Sequence, residues 1–358
     1  MVPKNNKKIV EEIRIMARKK RKEKISFTMP AAKRRKTTSF PLEDLPDELI
    51  LKIFSFLDRK HLFRVSLVFK WTYNISQDCS MIERWLKIDF SKPALWNKAL
   101  PASLLEKVLI KGCKYLSLQG ATLEGSLKLA KRTSLKHLDV SGFHADQGVL
   151  DKILASCYSL EKLWLIDFYK LQSININALS MQNGQTLQVL NMIGCRRLNL
   201  DKVKPLIDNC VQLKELNLKE AGIPEEAVDY LVNNLTPNIE RLSLGRLWNL
   251  IGDHEIEVLV SRCKKLNSLF LRQTNIGNDS LMNIIENLQD TLVNLCVEHT
   301  SISSEALREL KSMSKLKILN CDGGQNVKRL RKLLRNVKVN DENGLLFFSI
   351  APSRGRLF

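Results

Sequence analysis

From residue 113 onward the chain repeats one six-residue pattern, L-x-x-L-x-L, nine times. The copies are CKYLSL (113–118), LKHLDV (135–140), LEKLWL (160–165), LQVLNM (187–192), LKELNL (213–218), IERLSL (239–244), LNSLFL (266–271), LVNLCV (292–297) and LKILNC (316–321). Successive starts are 22, 25, 27, 26, 26, 27, 26 and 24 residues apart. A period of this size, held over most of the chain, constrains the fold more than any single motif. It demands the same supersecondary unit throughout.

Within each copy apolar and polar positions alternate, so every unit opens on a short strand with one buried face. A loop follows. Apolar residues three and four apart, as in EEAVDYLVNN (225–234) and DHEIEVLVSRC (253–263), then predict a helix. No unit can bury its own apolar face, but stacked units bury each other's. The expected fold is α/β, a curved solenoid of leucine-rich repeats over residues 91–338, with strands inside and helices outside.

The rest of the chain divides by charge and pattern. The net charge of +19 over 358 residues is concentrated at the two ends. Residues 1–40 hold fourteen Lys/Arg and three Asp/Glu, a net +11. Residues 328–358 hold eight and two, a net +6, which leaves +2 for everything between. The first forty residues read as a disordered basic tail, in which RKKRKEK (18–24) and KRRK (33–36) suit nuclear import. Because the body of the chain is nearly neutral, nucleic acid is not an expected partner. No apolar run is long enough to span a membrane, and MVPKNNKKIVEEIRIMARKK lacks the apolar core of a secretory signal.

Nothing in the sequence asks for catalysis. Cys157, Cys210 and Cys263 each stand three residues before a repeat's first leucine, which assigns them to the helix side as small apolar residues rather than to a metal site. His254-Glu255 lacks the second histidine of a zinc-protease motif, and no glycine-rich loop ends in Lys-Ser/Thr. We therefore expect a non-catalytic protein with no cofactor and no metal.

Residues 41–90 form a separate helical segment. In LEDLPDELILKIFSFL (42–57), Leu49, Ile53, Phe54 and Leu57 fall at helical spacing, with Pro46 in the first turn, where its missing N–H costs nothing. HLFRVSLVFKW (61–71) and WLKIDF (85–90) follow. Leu-Pro, then Ile-Phe and Leu, then Val and Trp in this order resemble the F-box. An F-box followed by cysteine-containing leucine-rich repeats resembles the F-box/leucine-rich-repeat family, and most closely its S-phase kinase-associated branch. LFFSIAP (346–352) resembles that branch's terminal segment.

This resemblance implies a substrate-recognition subunit of an SCF-type ubiquitin ligase. Leu45, Pro46, Leu49, Ile53, Phe54, Leu57, Leu62, Val65, Val68 and Trp71 would dock on the Skp-type adaptor, which in turn binds the cullin–RING scaffold. The clients implied are phosphorylated cell-cycle regulators such as cyclin-dependent kinase inhibitors, read with a small regulatory subunit of the kinase. Residues 339–358 would fold back along the concave face. The corresponding location is the nucleus and cytoplasm. Two other readings share this architecture: an F-box receptor with unrelated clients, and a nuclear repeat scaffold that binds protein or RNA with no ligase role.

Residues between and beside the leucines point into the concave face. Among them Trp164 and Ile166, with Val189 and Ile193, make an apolar patch, and Phe270 beside Arg272 resembles an interface anchor pair. Asn191, Lys219, Arg241 and Glu298 complete the expected substrate-binding set. VKRLRKLLRNVKV (327–339) reads as the last repeat's helix with a basic outer face.

Overall fold

The computed structural model of the chain describes residues 87–90, 99–110, 112–129, 132–145, 148–167, 175–322 and 325–340. The basic tail, almost all of the F-box segment and residues 341–358 lie outside them. So do all ten adaptor-docking residues named above.

The described residues form a stack of strand–turn–helix units. In chain order these are β1 (Lys87–Asp89), β2 (Leu100–Pro101), α1 (Ala102–Ile110), β3 (Tyr115–Ser117), β4 (Leu123–Glu124), β5 (His137–Asp139), α2 (Val149–Ala155), β6 (Lys162–Trp164), α3 (Ile176–Asn183), β7 (Val189–Asn191) and α4 (Leu200–Asn209). There follow β8 (Glu215–Asn217), α5 (Glu225–Asn234), β9 (Arg241–Ser243), α6 (Asp253–Arg262), β10 (Ser268–Phe270), α7 (Asn278–Leu288), β11 (Asn294–Cys296), a 3₁₀ helix (Ala306–Ser312), β12 (Ile318–Asn320), α8 (Gln325–Leu333) and β13 (Lys338–Asn340).

Eleven strands make one parallel sheet in the order β1-β3-β5-β6-β7-β8-β9-β10-β11-β12-β13. The register is one repeat per step: Leu138 pairs Leu163, which pairs Leu190, which pairs Leu216. All three leucine positions of the motif are buried; in one repeat Leu213, Leu216 and Leu218 are each 2–3% exposed. Each such side chain contributes about 1.5–3 kcal/mol, and it does so only against neighbouring repeats.

The sheet starts earlier and ends later than the boundaries drawn from the sequence. Lys87–Asp89, within the segment assigned to the F-box, pairs with Tyr115–Ser117 and sets Ile88 beside Leu116. LKIDF thus has the alternation of a repeat strand, with Ile88 and Phe90 in leucine positions. At the other end Val339 pairs Leu319, so 338–340 is a last strand rather than the start of a tail.

Two local devices hold successive units together. Asn183, fully buried, donates from Nδ2 to the carbonyls of Cys157 (3.0 Å) and Leu179 (3.1 Å), and its Oδ1 accepts from Leu160 N (2.9 Å). Asp253, at the start of α6, accepts at Oδ1 from Gly277 N (2.7 Å) and Ser280 N (3.1 Å) and so caps α7 of the following repeat. Burial would raise its carboxyl pKa, but the hydrogen bonds from Ser280 and Gly277 outweigh burial and hold it below the ordinary value.

The cysteines sit where the spacing placed them. Cys210 and Cys263 are the C-cap residues of α4 and α6, each donating its N–H to the carbonyl four residues back. Burial pushes the thiols of Cys157 and Cys263 up to about 11 and that of Cys210 to about 12. At such values a thiol is a buried apolar group and not a nucleophile.

Candidate functional site

The leucines of each strand point into the core, so the flanking residues stand on the helix-free face of the sheet. Pairing arranges them in rows that run across the repeats. The middle row reads Asp139, Trp164, Asn191, Asn217, Ser243, Phe270 and Cys296. One side row reads Tyr115, His137, Lys162, Val189, Glu215 and Arg241. Beyond the strand ends a third row carries Ile166, Ile193, Lys219, Gly245, Arg272 and Glu298.

The eight residues expected from sequence all fall in these rows, but the rows give them different jobs. Asn191 is 4% exposed, and its Oδ1 accepts from Ile193 N at 3.2 Å. Asp139 and Asn217 do the same for Ser141 N and Lys219 N, at 3.0 Å each. A short Asp or Asn at the strand end closes the turn by bonding the backbone two residues on, so this row is partly structural. Trp164 and Phe270 are 9% and 8% exposed and lie embedded in the middle row rather than projecting from it. Ile166, Val189 and Ile193 are half-buried around Trp164. Arg241 lies 3.3 Å from Glu215 across neighbouring strands.

The first strands carry an aromatic cluster that single-residue reasoning did not assemble. The His137 ring meets Tyr115 edge-on at 4.5 Å between centroids and Trp164 at 6.3 Å. Burial, reinforced by the Lys162 charge, lowers the His137 pKa to about 4, so the ring is neutral at physiological pH. The signal was present in the sequence, since Tyr115 and His137 hold the same position in consecutive repeats, but only a row-by-row alignment displays it.

The later repeats carry charge. Arg272 pairs with Glu298 at 2.7 Å and approaches His299 at 3.2 Å. His299 in turn lies 3.4 Å from Asp322. Lys219 pairs with Glu220 at 3.7 Å. The Lys219 pKa is lowered, first by burial and then by the nearby Arg246 and Arg272 charges, against the opposing pull of Glu220. Between Lys219 and Arg272 the third row has Gly245. Gly245 brings no side chain, which leaves a notch in the row between two cations, and a Cβ there would press on the next repeat's backbone, 3.2 Å from Arg272 O. Arg246 also pairs with Glu220 and donates to Gln273 Oε1. Lys219, Arg246 and Arg272 thus face two carboxylates, Glu220 and Glu298, and the cluster keeps one positive charge in excess, which suits an added carboxylate or phosphate.

The turn that forms the notch's rim recurs in the first eight repeats. The residue two past the third leucine takes a left-handed conformation: Gly120, Gly142, Asp167 and Gly194, then Glu220, Arg246, Gln273 and His299. Each of these from Gly120 to Gln273 donates its N–H to the backbone carbonyl of the next repeat, as Arg246 does to Arg272 O at 2.7 Å. Non-glycine residues are strained there by roughly 1–2 kcal/mol, so the later repeats hold polar and charged side chains on the rim at a cost in stability.

A family model described as the SKP2 LRR domain matches residues 103–354, about 70% of the chain. The chain belongs to the SKP2 leucine-rich-repeat family. A second model, described as F-box-like, matches residues 42–81 and so contains all ten adaptor-docking residues. An F-box implies binding to a Skp-type adaptor, and F-box/leucine-rich-repeat proteins are in general non-catalytic substrate adaptors. The F-box-like match ends before WLKIDF, in agreement with β1 belonging to the repeat sheet. Among solved structures, the crystal structure of the Rad7 and Elc1 complex in yeast aligns with 95% of this chain and 98% of that one, at 16% identity and a TM-score of 0.42. A likeness of that degree carries no argument about this chain.

Proposed function

We propose that this protein is the substrate-recognition subunit of an SCF-type E3 ubiquitin ligase. The observation that carries this reading is the union, in one chain, of an F-box-like segment at 42–81 with the SKP2-type repeats. The F-box segment would hold the Skp-type adaptor and through it the cullin–RING scaffold. The helix-free face of the repeats would hold a protein client. The chain itself makes and breaks no bond; its contribution is to raise the concentration of client lysines near a ubiquitin-charged enzyme.

The client class follows from the same face. The cluster of Lys219, Arg246 and Arg272 beside Gly245, one cation in excess of its partners Glu220 and Glu298, favours a phosphorylated or acidic side chain. Together with the family resemblance, this points to phosphorylated cell-cycle regulators, cyclin-dependent kinase inhibitors among them, with a small kinase subunit as a co-reader. Nuclear residence, through the basic clusters at 18–24 and 33–36, belongs to the same proposal.

Co-purification of the full chain with the Skp-type adaptor, beside a Pro46→Ala, Phe54→Ala variant, tests the first half. Loss of the adaptor in the variant alone supports the reading. Retention in both moves the docking surface elsewhere, and no binding by the intact chain refutes the ligase role. For the second half, Gly245→Val fills the notch. Phosphopeptide binding to the adaptor complex that survives this change refutes the anion assignment.

A further inference from the structure

The charge at the C-terminal end of the solenoid is local. Residues 304–340 contain ten Lys/Arg and three Asp/Glu, a net +7, whereas residues 41–303 together carry +1. Lys328, Arg329 and Lys332 on α8, and Arg335 in the turn after it, are all exposed. Those four form no ion pair among the described residues. This basic surface belongs to the helix side of the solenoid, not to the face described above.

The surface also has a shape. The 3₁₀ helix of the preceding repeat and α8 leave between them an open groove of about 300 Å³, lined by Ser304, Arg308, Arg329, Leu330 and Leu333. Arg308 is only loosely neutralised, 3.9 Å from Glu305, and Arg329 stands opposite it with no ion pair. Leu330 and Leu333 give the same groove an aliphatic floor. Leu330 is buried and Leu333 is 46% exposed.

We propose that this groove is a second docking site, for an acidic protein segment that sets an apolar side chain between its carboxylates. Charge complementarity selects an anionic partner. The floor selects protein over nucleic acid. A nucleic-acid surface pairs cations with aromatic rings on which bases stack, and residues 304–340 contain no Phe, Tyr or Trp. A leucine pair framed by arginines has no use for a sugar–phosphate backbone. It matches the alternation of acidic and aliphatic side chains on a peptide, with arginine as the usual interface anchor. This site is independent of the receptor reading.

The experiment is fluorescence anisotropy on the full chain bound to its adaptor, or on the full chain alone. The probe is a labelled short peptide of glutamates flanking two leucines, and an oligo-dT strand of equal charge serves as the second probe. The expected result is peptide binding that weakens about tenfold or more in Arg308→Glu, Arg329→Glu and also weakens clearly in Leu333→Ser. Because these side chains are exposed, the variants should melt as the parent does, and the melting curve checks that. Peptide binding unchanged in both variants overturns the proposal. So does oligo-dT binding that is as tight, is lost on charge reversal and is indifferent to Leu333→Ser, since that is the behaviour of a nucleic-acid surface.

Discussion

Arg272 Nη1 lies 2.7 Å from Oε2 of Glu298, whose side chain is only 2% exposed. The two residues are one repeat apart, so the pair ties successive turns together beside the notch. Removing one partner of a buried pair leaves an uncompensated charge, which costs far more than the pair is worth. Arg272→Met should cost about 3 kcal/mol in urea unfolding, and adding Glu298→Gln should restore 1 kcal/mol or more. Additive losses in the double-mutant cycle would show that the two do not interact.

His137 makes the fold sensitive to mild acid. Its folded pKa, lowered to about 4, lies below the unfolded value of 6.5. The unfolded chain therefore binds the extra proton first, and stability that is complete above pH 6.5 declines as the pH falls from there towards 4. The loss is at most about 3 kcal/mol. In His137→Phe, which keeps a ring between Tyr115 and Trp164, the stability–pH curve should flatten over this window. An unaltered slope would assign the acid sensitivity to other groups.

Asn183 satisfies buried backbone groups on both sides of a repeat junction. Asn183→Leu matches its size but strands the Leu160 N–H and the Cys157 carbonyl. Each buried unpaired group costs about 1–3 kcal/mol, so a loss of about 3 kcal/mol is expected. Hydrogen exchange at Leu160 should accelerate with it. A variant as stable as the parent would mean that water replaces the amide.

Gly184 allows the end of α3 to lie against the end of α4. A Cβ on it would overlap the carbonyl oxygen of Asn209 and stand 2.7 Å from that of Ser180. Backbone atoms on both sides cannot yield as a flexible side chain would. Gly184→Ala should cost 2 kcal/mol or more, at the severe end for a single added methyl group, as read by thermal or urea unfolding.

Much of this architecture is legible in the sequence. The helix expected over 225–234 is α5, and the one expected over 253–263 is α6, ending one residue earlier. The alternation in LKELNL identified both the buried leucines and the outward row. β1 was missed because WLKIDF also fits the end of an F-box, and two patterns that share one apolar alternation cannot be separated locally. The left-handed turns were signalled by glycine at 120, 142 and 194 but not where Glu220, Arg246 or Gln273 takes the same conformation. There the backbone is held by bonds to the next repeat, against the residue's own preference.

The sequence by itself determined the repeat, its period, the burial of its leucines and the separation of charge between the ends and the body. These depend on local alternation and on composition, which any window of the chain displays. The tertiary structure decided which side chains meet. Stacking parallel strands about 4.8 Å apart brings together residues some 26 positions apart in the chain. Lys219, Gly245 and Arg272 thereby become one notch, and Asn191 and Asn217 are turned to the backbone and away from a partner. No window of the chain contains those neighbours, so no reading of one window could assemble them.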